Sequence, residues 1–220
     1  GKTVCMINHL IRSALLSKQK NPRYAYISPT FKQSKSIAWD YMKQFTAKIP
    51  YTKFNETELR VDLPNGARIT LLGAENSDGL RGIYLDGCVI DEYANVHSKL
   101  FPEIIRPALS DRKGYCVFIG TPQGMNNNFY ELYQHAQGAD DWFNYKAKAS
   151  ETKIVDEDEL VKAKEVMGEK KYLQEFECDW IANIEGAIYN DTLVKLEDGK
   201  QLSRVPYDPS LPVSTAWDLG

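Results

Sequence analysis

Paired cysteines, histidine clusters, long apolar runs and internal repeats are all missing from this sequence, and each absence closes off a class of protein. Cys5, Cys88, Cys116 and Cys178 stand far apart. No Cys-x-x-Cys or Cys/His spacing marks a zinc site, and no closely set framework marks a small secreted scaffold. A reducing compartment is therefore expected. His9, His97 and His135 form no local group. There is no signal peptide, and no stretch approaches the roughly 20 apolar residues of a membrane span. An initiator methionine is also missing. The chain opens on Gly1-Lys2-Thr3 and stops on Trp217-Asp218-Leu219-Gly220, and it reads as a piece of something longer.

Acid is scarce in one place only. Up to Lys53 the basic residues are Lys2, Arg12, Lys18, Lys20, Arg23, Lys32, Lys35, Lys43, Lys48 and Lys53, against the single acid Asp40. The net charge of the whole is −3, so the remainder carries the acidic excess. Such asymmetry fits a polyanionic partner on the N-terminal part, and it fits a solvated basic helix face as well. With 220 residues the chain can bury one sizeable core and an accessory piece.

Hydrophobic periodicity orders the chain. Val4, Ile7, Leu10, Ile11, Ala14 and Leu15 recur at helical spacing, which predicts a helix over 4–16, closed off by Asn21-Pro22. A short strand follows over 24–28 and a helix over 34–48. The segments 58–63 and 67–72 flank Pro64-Asn65-Gly66 and read as a hairpin. Buried strands are expected over 88–91 and 114–120, with helices over 100–109 and 128–135. Strands alternating with helices indicate an α/β domain with a largely parallel central sheet. The character changes near Glu151. Two helical stretches, parted by Gly168, lead to a connector carrying Pro206, Pro209 and Pro212. The expected organisation is residues 1–150, 151–205 and 206–220, the last opening a further domain.

The chemistry concentrates in two places. Gly1-Lys2-Thr3, directly before an amphipathic helix, matches the tail of the phosphate loop G-x-x-x-x-G-K-[ST]. Amides at a helix N-terminus favour anions, the lysine reaches the β- and γ-phosphates, and the threonine hydroxyl binds magnesium. Then "LDGCVIDEYA" ends an apolar run on adjacent carboxylates, Asp91 and Glu92. A solvated strand end is one account of such a pair. In a phosphate-loop ATPase, Asp91 would hold Mg2+ and Glu92 would activate the attacking water. Neighbours on an extended strand point opposite ways, so the backbone has to turn just after Asp91. Gly120-Thr121-Pro122 ends the next strand. Thr121 could sense a γ-phosphate there, or the triplet could simply turn the chain. Arg81, in Leu80-Arg81-Gly82, is either a charge-neutralising arginine or a surface one.

The ordered blocks GKT, "RYAYISPTFKQSKSIAWDYMK", "NGARITLLGAENSDGLRGIYLDGCVIDEYA", "FIGTPQGMNNNFYELY", "YLQEFECDW" and "STAWDLG" resemble the large terminase subunit of tailed bacteriophages, the DNA-packaging motor. The resemblance implies a P-loop NTPase core of the additional-strand, catalytic-glutamate class, a small helical linker or lid, and the start of a ribonuclease H-like nuclease domain. It implies ATP and Mg2+ at Gly1, Lys2, Thr3 and Asp91, a catalytic Glu92, a coupling Thr121, and an Arg81 acting in trans on a neighbouring subunit. Asp218 matches the first metal-binding aspartate of a two-metal nuclease whose other acids are not in this chain. The implied partners are double-stranded DNA, a homo-oligomeric ring, a portal protein and a small terminase subunit. The implied setting is host cytoplasm and procapsid, with no membrane.

Two other classes compete. A helicase-like ATPase would be expected to continue into a second ATPase core, where this chain instead begins a strand ending "WDLG". A non-catalytic DNA-binding scaffold would have no use for Lys2, Thr3, Asp91 and Glu92 together.

Overall fold

A computed structural model describes residues 1–181 together with residues 192, 195, 196, 199, 201 and 210. Residues Gly1–Asn183 form one compact unit and Ile184–Gly220 a second. The connector prolines and Asp218 lie outside the described residues.

Helix α1 (Lys2–Leu16) runs as its apolar spacing predicts and buries Ile7, Leu10, Ile11 and Ala14. Strand β1 (Arg23–Ser28) is buried from Tyr24 onward. The next helical segment starts earlier than expected. Thr30 caps it in a reciprocal box with Gln33, a Thr-x-x-Gln signature present in the sequence. It is α-helical over Phe31–Gln33 (α2), π-helical over Ser34–Trp39 and α-helical again over Asp40–Thr46 (α3). The segment is pinned at both ends of its π turn, Ser34 to the Leu72 carbonyl at 2.7 Å and Trp39 to Glu56 at 2.6 Å.

Three strands then zigzag: β2 (Lys53–Asn55), β3 (Arg60–Asp62) and β4 (Arg68–Gly73). β2 was not expected. Strand β5 (Gly87–Ile90) is buried throughout, and a π-helical stretch over Leu100–Ile105 continues into α4 (Arg106–Ser110). Pro102 and Pro107 each lack a backbone donor, and the widened turns fall where those donors are missing. Strand β6 (Tyr115–Phe118) and helix α5 (Asn128–Gln137) follow. The C-terminal helices of this unit are α6 (Ala149–Thr152), α7 (Glu157–Met167) and α8 (Glu169–Glu177). Gly168 separates α7 from α8 at φ 78°, where a Cβ would be strained.

The six strands form one sheet in the order β2-β3-β4-β1-β5-β6. β4, β1, β5 and β6 run parallel, while β2, β3 and β4 are joined antiparallel. Central β1 and β5 are covered on both faces, as parallel strands require. On one face Tyr24, Tyr26 and Val89 pack with α1, Trp39 and Met42. On the other, Ala25, Ile27, Cys88 and Ile90 pack with Leu100, Ile105 and Leu109. Truncating one such side chain to Ala costs about 2–5 kcal/mol. β6 departs from expectation: all four of its residues are only half-buried, because it ends the sheet. The cysteines are free, and the Cys88 and Cys116 sulfurs sit 3.3 Å apart across β5 and β6.

Candidate active site

The sheet places the C-terminal ends of β1, β5 and β6 beside one another, and the polar residues gather there. β5 hands on to Asp91, whose amide donates to the Ile27 carbonyl at 2.8 Å and so continues the β1–β5 ladder. Asp91 is 5% exposed, and a carboxylate so buried needs partners. It has two. The Tyr26 hydroxyl donates to its Oδ2, and the Glu92 amide donates to its Oδ1 at 2.9 Å. Burial, followed by the charge of Asp91, pushes the Tyr26 phenol far above the usual range, and the neighbouring Thr3 side chain opposes the rise. Thr3 at the start of α1 is thereby brought to Asp91, though they are remote in sequence.

The backbone turns at Glu92. This residue adopts the left-handed conformation, φ 47° and ψ 48°, which costs a non-glycine residue of order 1–3 kcal/mol. The turn is clipped to the neighbouring strand end: the Tyr93 amide donates to Ile119 at 3.1 Å, and the Ile119 amide to Ile90 at 3.0 Å. Burial, then the adjacent Asp91 charge, raises the pKa of the Glu92 carboxyl, with Glu175 of α8 adding to the rise. Lys2 and the Thr121 backbone oppose it. Gly120 allows this proximity. A Cβ there would come within 3.3 Å of the Tyr93 amide and 3.4 Å of the Glu92 Cα.

Lys2, Thr3, Asp91, Glu92 and Thr121 therefore meet at one end of the sheet, with Gly1 capping α1. The first turn of α1 leaves amides without helical partners, pointing the way an anion would approach. Arg81 is exposed, on the loop after buried Leu80. Two residues of the site were not singled out in the sequence, Tyr26 and Ser28. Ser28 is 2% exposed, and its hydroxyl has no hydrogen-bond partner among the described residues. It follows Ile27, which pairs with Ile90, so it stands beside Asp91 and shares a sheet face with Tyr26. The oxygens of Thr3 and Asp91, with the unclaimed Ser28 hydroxyl near them, form the hard donor set that a hydrated magnesium ion prefers. No group of three or more His, Cys, Asp or Glu suited to a metal occurs among the described residues. Mg2+ is normally held by one or two carboxylates plus phosphate and water.

Comparison with known proteins places the chain in a family and identifies its fold. Residues 1–195 match the family described as terminase large subunit, T4likevirus-type, N-terminal. The chain belongs to the terminase large subunit family. The large-subunit terminases of Thermus phage G20c and Thermus virus P23-45 are each 42% identical to it over 60 residues, 27% of this chain. The matched stretch spans 12% of those relatives' length. In fold, the chain is similar to the large terminase ATPase domain of Thermus phage P74-26, with TM-score 0.67 and 20% identity over 82% of this chain and 84% of that one. It is also similar to the large terminase of a thermophilic bacteriophage in complex with ATP-gamma-S, with TM-score 0.61 and 14% identity over 82% of this chain and 45% of that one. The mixed α/β sheet is thus the terminase ATPase-domain fold.

The basic terminase segment up to Lys53 is not uniform. Lys32, Lys35, Lys48 and Lys53 are exposed. Lys43 is engaged: it lies 3.4 Å from both Asp40 and Glu56 and over the Trp39 ring.

Proposed function

We propose that this chain is the ATP-hydrolysing part of a motor that drives double-stranded viral DNA into a procapsid. The observation that carries the reading is the left-handed turn at Glu92. It presents a second carboxylate next to Asp91, at the end of the sheet where Lys2 and Thr3 start α1. Lys2 and the amides after Gly1 bind the phosphates. Thr3 and Asp91 hold the magnesium that travels with ATP, which neutralises phosphate charge when bound. Glu92 orients the attacking water and takes its proton. Thr121, whose backbone helps to hold down the Glu92 pKa, reports on the state of the γ-phosphate. The ATP-gamma-S complex of the thermophilic bacteriophage's large terminase supports a nucleotide on this fold.

Arg81 extends the reading to a ring. Exposed on its loop, it reaches a neighbouring subunit's ATP and stabilises transition-state charge there. The exposed lysines grip the DNA backbone without reading sequence. A portal protein and a small terminase subunit complete the assembly in the host cytoplasm. Asp218 belongs to a nuclease domain that uses two divalent metals to cut concatemeric DNA.

Glu92→Gln tests the central assignment. In the full-length protein ATP binding persists and turnover falls by about 10²–10⁴, the scale of general-base catalysis. Turnover within a factor of about three of wild type would remove Glu92 from this role.

A further inference from the structure

Helix α8 reaches the turn after β6 through Gln174. Gln174 is 3% exposed, which is unusual for a glutamine. Its Nε2 donates to the Pro122 carbonyl at 2.6 Å. Its Oε1 accepts from Lys171 Nζ at 3.2 Å. An ammonium can only donate, so Lys171 fixes which way the amide points: oxygen to the lysine, nitrogen to Pro122. Lys171 also holds Glu175 at 3.0 Å, so three residues of α8 are locked together over the turn.

Pro122 ends the Gly120–Pro122 turn, and that turn packs on Glu92: a Cβ on Gly120 would come within 3.4 Å of the Glu92 Cα, and the Tyr93 amide donates to the Ile119 carbonyl at 3.1 Å. The contacts run from Gln174 through the Pro122 carbonyl and the Gly120–Pro122 turn to Glu92. A buried carbonyl and a buried side-chain amide are each costly when unpaired. The two groups satisfy each other only while α8 lies on the Gly120–Pro122 turn. If α8 lifts, the turn loses its anchor.

We propose that Gln174 is a positioning residue for the reaction at Glu92: by holding the Pro122 carbonyl it sets the Gly120–Pro122 turn, and through it the orientation of the Glu92 carboxylate. The glutamate is then aligned for water activation only when α8 is docked. This rests on the reading of Glu92 given above and adds the element that controls it.

The test uses the full-length protein with DNA present, comparing Gln174→Glu and Gln174→Met with wild type and with Glu92→Gln. Gln174→Glu keeps the size and the Lys171 partner but has no N–H for Pro122. Gln174→Met fills the volume without either bond. Misplacing a reacting group by about 1 Å can cost about a hundredfold, so kcat for ATP falls about tenfold to a hundredfold in both variants. The KM for ATP and the affinity for ATP-gamma-S stay near wild type, since phosphate binding rests on α1, while the unfolding temperature falls modestly because the buried Pro122 carbonyl is left unpaired. A kcat unchanged in both variants overturns the proposal. So does a fall in ATP-gamma-S affinity that tracks a fall in unfolding temperature, which is the mark of a merely structural role. Should the methionine variant not fold, the glutamate variant decides alone. If Glu92→Gln itself retains turnover, the reading of Glu92 has failed. If Glu92→Gln is inactive while both Gln174 variants behave as wild type, only the positioning role falls.

Discussion

The Tyr26 hydroxyl, from the fully buried middle of β1, donates to Oδ2 of Asp91 at the end of β5. One strand thus supports the acid carried by its neighbour. A hydrogen bond to a charged group contributes about 1.5–3 kcal/mol. Tyr26→Phe removes it while keeping the ring in the core. Urea unfolding of the nucleotide-free protein is expected to show a loss in that range. A loss within about 0.5 kcal/mol, the scale of a neutral surface change, would mean that Asp91 does not depend on the phenol.

Glu92 pairs backbone strain with a half-buried charge. The left-handed backbone costs a non-glycine residue of order 1–3 kcal/mol, and the side chain brings a second carboxylate up against Asp91. Glu92→Gly releases both, at an entropic cost of about 0.5–1 kcal/mol. The expected protein is at least as thermostable as wild type and inactive as an ATPase. A clear drop in the unfolding midpoint would show that Glu92 holds the turn together instead of straining it.

Not every lysine of the N-terminal segment should matter to DNA. Replacing exposed Lys32, Lys35, Lys48 or Lys53 with Ala should weaken duplex binding irrespective of sequence, and should lower the salt slope by about 1 for each phosphate no longer neutralised. Lys43→Ala should leave the slope unchanged, since that ammonium is held by Asp40 and Glu56. Salt titrations of duplex affinity with the single variants distinguish the two groups. A slope that moves with Lys43 and not with the other four would reverse the assignment.

Arg81 is tested by mixing. Loss of an arginine finger costs about 10³–10⁵ in rate. Arg81→Ala subunits retain a phosphate site, and Lys2→Ala subunits retain the arginine. Each population alone should be inactive, and mixed rings should recover part of the ATPase activity, because some interfaces join a sound site to a sound arginine. Mixed rings that form without recovery would confine Arg81 to its own subunit. Full activity of Arg81→Ala alone would make it a surface arginine.

Much of this arrangement was legible before any coordinates. The periodicity of α1, the 58–72 hairpin, the apolar run into Asp91-Glu92, and Gly168 between two helices all stand where the pattern put them. So does the turn after Asp91, which was expected because side chains alternate along a strand and Glu92 had to be brought round to the phosphate end. The rest depends on tertiary company. β2 is three residues long and exists by pairing with β3, so no local signal announces it. Cys-Val-Phe reads the same at an edge as in a sheet interior, which is why β6 was expected to be buried. Tyr26 sits in an obvious strand, but the carboxylate its hydroxyl meets is 65 residues away. Gln174, inside a polar helix, gives no hint that it faces a carbonyl 52 residues back. The earlier start of α2 is encoded in the Thr30–Gln33 capping box, a signal that apolar spacing does not carry.

The free thiols give the molecule a built-in reporter. Cys5 is exposed, and Cys88, three residues before Asp91 on β5, has no accessible surface. A thiol reagent reaches Cys5 directly but reaches Cys88 only when the centre of the sheet opens, so the slow labelling rate counts those openings. A ligand that binds only the closed form makes openings rarer. Protection of Cys88 by a nucleotide would therefore measure, without any turnover, how tightly phosphate binding at the strand ends holds the whole sheet shut.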